Sequence, residues 1–268
     1  MAILIAAVPS LSLPAAQLTP QEIAERGKWE AYLETAEVIN AEQMLKREAV
    51  TSPWVLTLKK DGIVHRALWK NPEGRMGGFL ESWKWEIAAY RMDKLLGLNM
   101  VPPTVEISFR EERGSCQLWV ESKMNLLKKT ENRIETPPEK MRAWVRAAYL
   151  QQAFDNLIGN EDRHQRNVLI TEDWRSILID HSRSFRTTNK FTKQLIYRDR
   201  PNREPSAMLE LPRPFYEKLK ALSFASIREA VGEYLTDKEI RAVIARKDLI
   251  IVHVERRIKL VGEGEVLY

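Results

Sequence analysis

Residues 155 to 185 read DNLIGNEDRHQRNVLITEDWRSILIDHSRSF, and this stretch constrains the chain more than any other. An acid and an amide, Asp162 and Asn167, are separated by four residues on a short loop. Asn167 opens an apolar run through Ile170, and a second run, Ile177-Leu-Ile179, delivers another acid, Asp180. Short apolar runs separated by turn residues predict two paired strands, which would converge three oxygen-bearing side chains. Such a donor set suits phosphoryl transfer, because hard magnesium takes oxygen ligands while a separate carboxylate orients the attacking hydroxyl and accepts its proton. The order of acid, amide and hairpin acid is also that of a kinase catalytic loop and its metal-binding aspartate. D-x-x-x-x-N alone is a weak signal in a chain that is 29% charged, where a solvated turn explains it equally well. Context decides.

Upstream, Val55-Leu-Thr-Leu58 and Val64-His-Arg-Ala-Leu-Trp69 flank Lys60-Asp-Gly62, which predicts a hairpin with Asp-Gly at its turn and Lys70 at the end of its second strand. An amine at a strand end can reach phosphates. From Leu80 to Leu96, apolar residues at Trp83, Ile87, Tyr90 and Leu95 recur among charges at helical spacing, and Gly97 stops the helix. Glu86 lies within it. A strand lysine held by a helix glutamate is the recurring kinase device for positioning the alpha and beta phosphates. Singly, Lys70 reads as an edge-strand lysine and Glu86 as a solvent-face charge. In this order, ahead of the downstream triplet, they belong to one constellation. No G-x-G-x-x-G occurs, and Gly74, Gly77 and Gly78, which follow Lys70, read as a flexible connector.

Three stretches carry a resemblance to a known family: residues 86 to 105, EIAAYRMDKLLGLNMVPPTV, then Gly159-Asn-Glu-Asp-Arg-His164 and Ile179-Asp-His-Ser-Arg-Ser-Phe185. Over roughly residues 50 to 190 the chain resembles the secretory-pathway kinases of the family with sequence similarity 20, the group of the Golgi casein kinase. More distantly it is similar to HipA-type kinases and to phosphatidylinositol 3- and 4-kinases, whose catalytic loops carry D-R-H-x-x-N or related patterns. The resemblance implies an atypical ATP-dependent kinase that uses magnesium or manganese. It also implies an α+β, two-lobed protein-kinase-like fold, with a small antiparallel-sheet lobe and a mainly helical large lobe. Lys70 would then match the nucleotide-phosphate lysine, Glu86 its helix partner, Asp162 the catalytic aspartate, and Asn167 and Asp180 the metal ligands. Two departures stand out. The secretory kinases tend not to keep an asparagine at Asn167, where HipA and the lipid kinases have one. Asp180-His-Ser182 replaces D-F-G, so no switch built on a swinging Phe is implied. Related atypical kinases cover the phosphates without glycines, using backbone amides and a Ser or Lys, which makes Thr51 and Ser52 the candidates for that role.

Thr104 to Phe109 and Cys116 to Val120 read as two strands around the charged turn Arg110 to Gly114, and Val120 to Met124 as the crossover between lobes. In the kinases it resembles, that crossover supplies backbone hydrogen bonds to the base, so Val120 and Met124 are nucleotide-binding candidates. Trp119 and Met124 serve either as walls of that site or as core. Arg163, Arg166, Arg183 and Arg186 cluster around the catalytic segment as candidates for holding phosphates, Arg163 first among them. His164 and His181, also near the site, read mainly as structural hydrogen-bonding groups.

Thr136-Pro-Pro-Glu139 predicts a capping box that opens a long helix with Met141, Trp144, Val145, Ala148 and Leu157 on its apolar face and Gly159 at its end. Phe215 to Phe224, Thr236 to Arg246 and Leu249 to Val261 read as further helices. At the amino-terminal side, Thr19-Pro-Gln-Glu22 caps a helix running toward Leu45, with Ile23, Trp29, Tyr32, Leu33, Ala36 and Ile39 on its apolar stripe. The resulting division is 1–20, 21–45 for that helix, 46–125 for the small lobe and 126–268 for the large lobe. Met1 to Gln21 carries no charge and reads either as an imperfect export signal, cleaved near Ala15 and Ala16, or as a tail. The compartment is accordingly cytoplasmic or exported. Its prolines and length argue against a membrane span.

The 268 residues, 44% hydrophobic, suffice for a sizeable core. The single Cys116 excludes an internal disulfide, and the four dispersed histidines build no zinc site. The net charge of +5 comes from interspersed charges without a basic run that interleaves aromatics, so no nucleic-acid partner is expected. The reading is an atypical kinase transferring the gamma-phosphate of ATP to a hydroxyl acceptor, protein Ser/Thr first, with lipid or small-molecule acceptors as the alternative. From a different class comes a nucleotide-binding pseudokinase scaffold.

Overall fold

Turn residues at positive φ organise the small lobe. In the computed structural model, which describes residues 17–44, 51–198 and 207–268, the capping box of Thr19 and Glu22 opens helix α1 (Pro20–Ala24). The export-signal reading of residues 1–16 lies outside the described residues. Helix α2 (Arg26–Thr35) follows at once and stops. Glu37–Gln43 is strand β1, not the continuation of a helix toward Leu45. The helical stripe of α2 is complete with Tyr32 and Leu33, which pack into the sheet core. Beyond it, Val38 and Ile39 are β-branched and suit a paired strand better than another helical turn.

Strand β1 pairs antiparallel with β2 (Trp54–Lys60), and β2 with β3 (Ile63–Lys70). Asp61 and Gly62 turn that second hairpin at φ 49° and 79°, the positive pair that a type I′ turn requires. The stretch after Lys70 is ordered structure where the sequence reads as a connector. Strands β4 (Glu73–Met76) and β5 (Phe79–Ser82) form their own hairpin around Gly77 and Gly78, both at positive φ. Ser82 then caps α3 (Trp83–Leu96) by accepting from the Lys84 amide, and left-handed Gly97 closes the helix. Strands β6 (Thr104–Phe109) and β7 (Glu112–Leu118) complete a sheet of order β1-β2-β3-β7-β6. Their turn is tighter than the charged stretch predicts: only Arg110 and Glu111 link them, at φ 55° and 67°.

The large lobe begins with β8 (Met124–Asn125) and α4 (Leu126–Glu131), followed by α5 (Pro138–Ile158). Pro137, not Thr136, is the N-cap of α5, and no side chain caps it, so the expected capping box does not form. The apolar face also differs from expectation. Met141 and Val145 are exposed, and the buried residues, Ala147, Leu150, Ala153, Phe154, Leu157 and Ile158, belong to the second half of the helix. Strands β9 (Val168–Ile170) and β10 (Ser176–Leu178) pair antiparallel, and β8 adds to the far edge of β9. Then come α6 (Asn189–Thr192), α7 (Arg213–Ala221), α8 (Phe224–Val231), α9 (Asp237–Val261) and α10 (Glu263–Val266). Helix α9 is one 25-residue helix where two are expected, because Arg246 continues it while its guanidinium is buried against Leu157 O and Arg186 O.

Two cores result, and they divide in an informative place. One lies under the five-stranded sheet, where Leu56, Leu58, Ala67, Trp69 and Cys116 meet Tyr32 and Leu33 of α2. The other fills the large lobe and includes Ala88, Met92 and Leu96 of α3 beside Phe154, Leu157 and Val243. Helix α3 is therefore packed with the large lobe although its sequence neighbours build the small one. The end of β3 fits against β7 only through Gly114. A Cβ there would lie 2.5 Å from Lys70 O and 2.7 Å from Trp69 Cε2. Gly114→Ala is expected to destabilise the fold by about 1–3 kcal/mol through overpacking at the strand that carries Lys70, read as a lowered midpoint in urea unfolding.

Candidate active site

Three elements deliver one charge cluster. Lys70 leaves the end of β3, Glu86 stands on the first turns of α3, and Asp180 follows β10. Lys70 Nζ donates to Glu86 Oε1 at 2.8 Å and to Asp180 Oδ1 at 2.7 Å. Lys70 and Glu86 are buried, whereas the Asp180 side chain keeps 34% of its surface. Burial opposes the charge on Lys70, but Asp180 and then Glu86 outweigh it and hold the amine's pKa above its ordinary value. Burial likewise opposes ionised Glu86, and Lys70 with His181 holds it well below the usual carboxylate range. Both groups are thus charged at neutral pH.

The backbone turns sharply where the acid is presented. Asp180 has φ 60°, a left-handed conformation rare for residues other than glycine but tolerated by aspartate. The Ile179 amide bonds Asn167 O at 3.1 Å, so the strand exit and the Asp162–Asn167 loop are stitched together just before the acid. Within that loop the His164 amide bonds Asp162 O at 2.7 Å, and Asn167 Nδ2 donates to the same carbonyl at 3.1 Å. The Asn167 amide nitrogen is thereby occupied inside the loop, and its oxygen is the atom left for a ligand. Burial raises the Asp162 pKa and Arg183 opposes that rise. Arg183 Nη1 lies 3.3 Å from Asp162 Oδ2.

Arg163 is a correction to the sequence reading, which made it a nucleotide ligand. Its side chain is 2% exposed and every N–H has a protein acceptor. Nε and Nη2 bond the Asp155 carboxylate at 3.0 and 3.1 Å, Nη1 bonds Asn167 O at 2.9 Å and Ile179 O at 2.7 Å, and Nη2 also donates to His181 Nε2 at 2.8 Å. No donor remains for a phosphate. Arg163 instead clasps the Asp162–Asn167 loop to the exit of β10. Because His181 Nε2 accepts, its proton resides on Nδ1, which faces Glu86 Oε2 at 3.7 Å, while the His181 amide donates to the same oxygen at 2.9 Å. Burial lowers the His181 pKa and keeps the ring neutral. The structural role expected for His181 is what the geometry supports.

The other candidates are placed as follows. Arg183 bonds Glu81 Oε1 through Nε and Nη2, at 3.0 and 2.8 Å, and lies over the Phe79 ring. Arg186 bonds Leu80 O and pairs with Glu161, and Arg166 is exposed beside His164. Thr51 and Ser52 belong to the β1–β2 link, at the Lys70 end of the sheet since Trp54 pairs with Trp69. Residues 45–50 of that link lie outside the described residues. Met124 is buried and pairs with Ile170. Val120 and Trp119 line a cavity whose lining does not include Lys70, Asp162 or Asp180.

Sequence reasoning missed Asp155 and Glu81. Asp155 carries a signal in retrospect: an acid inside the run Phe154-Asp-Asn-Leu-Ile158 at the buried end of a helix requires a cationic partner. Glu81, buried on β5, joins Arg183 and also accepts from Ser182 Oγ at 3.1 Å, which in turn bonds Asp180 Oδ1 at 3.3 Å. Its sequence context carries no comparable mark.

No family model and no curated protein matches the chain. Solved structures do. The two lobes and the lysine, glutamate and aspartate at their junction define a kinase-like fold. More narrowly, it is the fold of the Fam20 atypical kinases. The structure of hydra Fam20 with sugar is similar over 91% of this chain and 92% of that one, with a TM-score of 0.65 at 16% identity. The Golgi casein kinase is similar over 93% and 78%, with a TM-score of 0.62 at 15% identity. With Mn/ADP bound, it is similar over 91% and 78%, with a TM-score of 0.61 at 15% identity.

The Arg163 clasp has a measurable signature. Arg163→Met strands the buried Asp155 charge and is expected to cost about 3–5 kcal/mol in urea unfolding, while the added change Asp155→Asn recovers part of that loss.

Proposed function

We propose that the chain is an ATP-dependent phosphotransferase that moves the gamma-phosphate to a hydroxyl acceptor, with protein Ser/Thr as the first acceptor class. The observation that carries this reading is the junction of Lys70 Nζ with Glu86 and Asp180 at 2.8 and 2.7 Å. Support comes from a fold shared with a kinase whose structure has Mn/ADP bound. Lys70, aimed by Glu86, would grip the alpha and beta phosphates. Asp180 and the amide oxygen of Asn167 would hold magnesium or manganese. That donor set fits a hard divalent ion: Asp180 Oδ2 accepts no hydrogen bond from the described residues, and the Asn167 nitrogen is already engaged on Asp162 O. Such an ion neutralises charge on the transferring phosphoryl group.

Asp162 would orient the acceptor hydroxyl and receive its proton. Its upward pKa shift, caused by burial, makes it a better proton acceptor than a free carboxylate. Arg183, bridging Glu81 and Asp162, fixes where that carboxylate points.

Gamma-labelled and alpha-labelled ATP, offered with magnesium or manganese to wild type, Asp162→Ala and Asp180→Ala, test the reading. Transfer of the gamma label is expected in wild type, with a loss of about 10²–10⁴ in rate for Asp162→Ala and a loss at least as large for Asp180→Ala. Gamma transfer that survives in both variants contradicts the assignment. Alpha transfer means nucleotidylation, and binding without any transfer means a pseudokinase scaffold.

A further inference from the structure

Beside the crossover, three parts of the chain border a cavity of about 460 Å³ whose lining does not include Lys70. The amino-terminal segment contributes Leu18, Glu25 and Trp29, the crossover contributes Trp119 and Val120, and the β9–β10 turn contributes Thr171, Glu172, Asp173 and Arg175. The volume is that of a small-molecule site. Its walls are apolar at Leu18, Pro102, Pro103 and Ile177, and aromatic at Trp29 and Trp119. His65 joins them with its ring 5.0 Å from that of Trp29.

The charge around these walls is unbalanced. Glu22, Glu25, Glu121, Glu172 and Asp173 all line the cavity, and Arg175 is the one arginine or lysine among the lining residues. Arg175 is already engaged: Nη1 bonds Gln17 O and Glu22, both at 2.6 Å, and Nε bonds Asp173 at 2.7 Å. Three cations outside the lining assist, and one of them, Lys28, lies over the Trp29 ring at 5.7 Å. Arg66 pairs with Glu121 at 2.6 Å while lying over the Trp119 ring, and Lys123 stands 3.7 Å from Glu172. Glu25 has no cationic partner among the described residues and accepts the Gln21 amide nitrogen at 3.1 Å. Five carboxylates therefore share four cations.

We propose that this cavity binds a small organic ammonium ion with an aromatic or aliphatic body. The apolar and aromatic walls take the body, the surplus carboxylate charge takes the cation, and a neutral or anionic ligand would forfeit the second contribution. The nucleotide is excluded as occupant by its own charge.

Position makes the site regulatory. Helix α2 forms one wall and is tied to α3, the helix that carries Glu86, through Arg26 and Asp93 at 3.0 Å. The crossover forms another wall, and the opposite one belongs to the large lobe. A bound cation spans both lobes and stabilises one arrangement of them. Nucleotide affinity then changes with the cation, and by linkage cation affinity changes with nucleotide by the same factor.

Calorimetric titration of the full chain with benzyltrimethylammonium tests this, beside 2-methyl-1-phenyl-2-propanol, which has nearly the same shape without the charge. Saturable one-site binding is expected, about tenfold tighter for the cation than for the alcohol, and about tenfold weaker in Glu25→Gln/Glu172→Gln with an unchanged melting midpoint. Equal affinity for cation and alcohol, full affinity in the double variant, or no saturation at millimolar cation overturns the site. Magnesium-ADP supplies the coupling arm. Equal cation affinity with and without it overturns the regulatory claim. If magnesium-ADP does not bind at all, the phosphotransferase reading fails while the cation titration still decides the site.

Discussion

A single buried ammonium held between two carboxylates is the constraint around which the rest of the site is arranged. Lys70 belongs to the five-stranded sheet, Glu86 to a helix whose core residues pack with the large lobe, and Asp180 to the exit of β10. Their contact therefore fixes how the lobes meet. Buried ion pairs contribute little net stability but cost several kcal/mol when one partner is lost, so the cluster specifies a geometry more than it strengthens a fold. It also extends inward, from Glu86 to neutral His181 and on to Arg163 and Asp155. Counting charges along this chain, Lys70 and Arg163 meet Glu86, Asp155 and Asp180, which leaves one negative charge in excess. Asp180 is the member exposed to the cleft, so the excess falls where a metal ion could take it up.

The loop of Asp162 and Asn167 was legible because its information is local. Asp162, Asn167 and Asp180 sit on one loop and one hairpin, and turn chemistry with short apolar runs places them together without knowledge of the rest of the chain. Lys70 and Glu86 were legible for the same reason, as a strand end and a helix turn. Arg163 was not, because spacing does not say which way a side chain points, and its acceptors come from residues 155, 167, 179 and 181. The boundaries that differ have similar causes. A helical period across α2 continues by accident into Ile39, where pairing with β2 takes over, and the exposed first half of α5 reads as apolar because Met141 and Val145 fall on the helical stripe without a core to meet.

The hairpin between Lys70 and α3 shows how a segment without an evident motif enters the chemistry. Gly77 and Gly78 let β4 and β5 pair, and β5 then places Glu81 between Ser182 and Arg183. Arg183 reaches from there to Asp162. The proposed base is thereby linked through an arginine to the small lobe, and Asp180 through a serine to the same glutamate. A displacement of this hairpin would alter both acids together.

The central claim is that the Lys70 amine, aimed by Glu86, is a built site for nucleotide phosphates. Calorimetric titration of magnesium-ADP into wild type, Lys70→Met and Glu86→Gln, each with its folded fraction established by thermal melting, tests it most directly. The account predicts divalent-dependent binding in wild type and affinity at least about tenfold weaker in both folded variants, the loss of a charge-assisted contact in one and of its aim in the other. Equal affinity across the three proteins would contradict it.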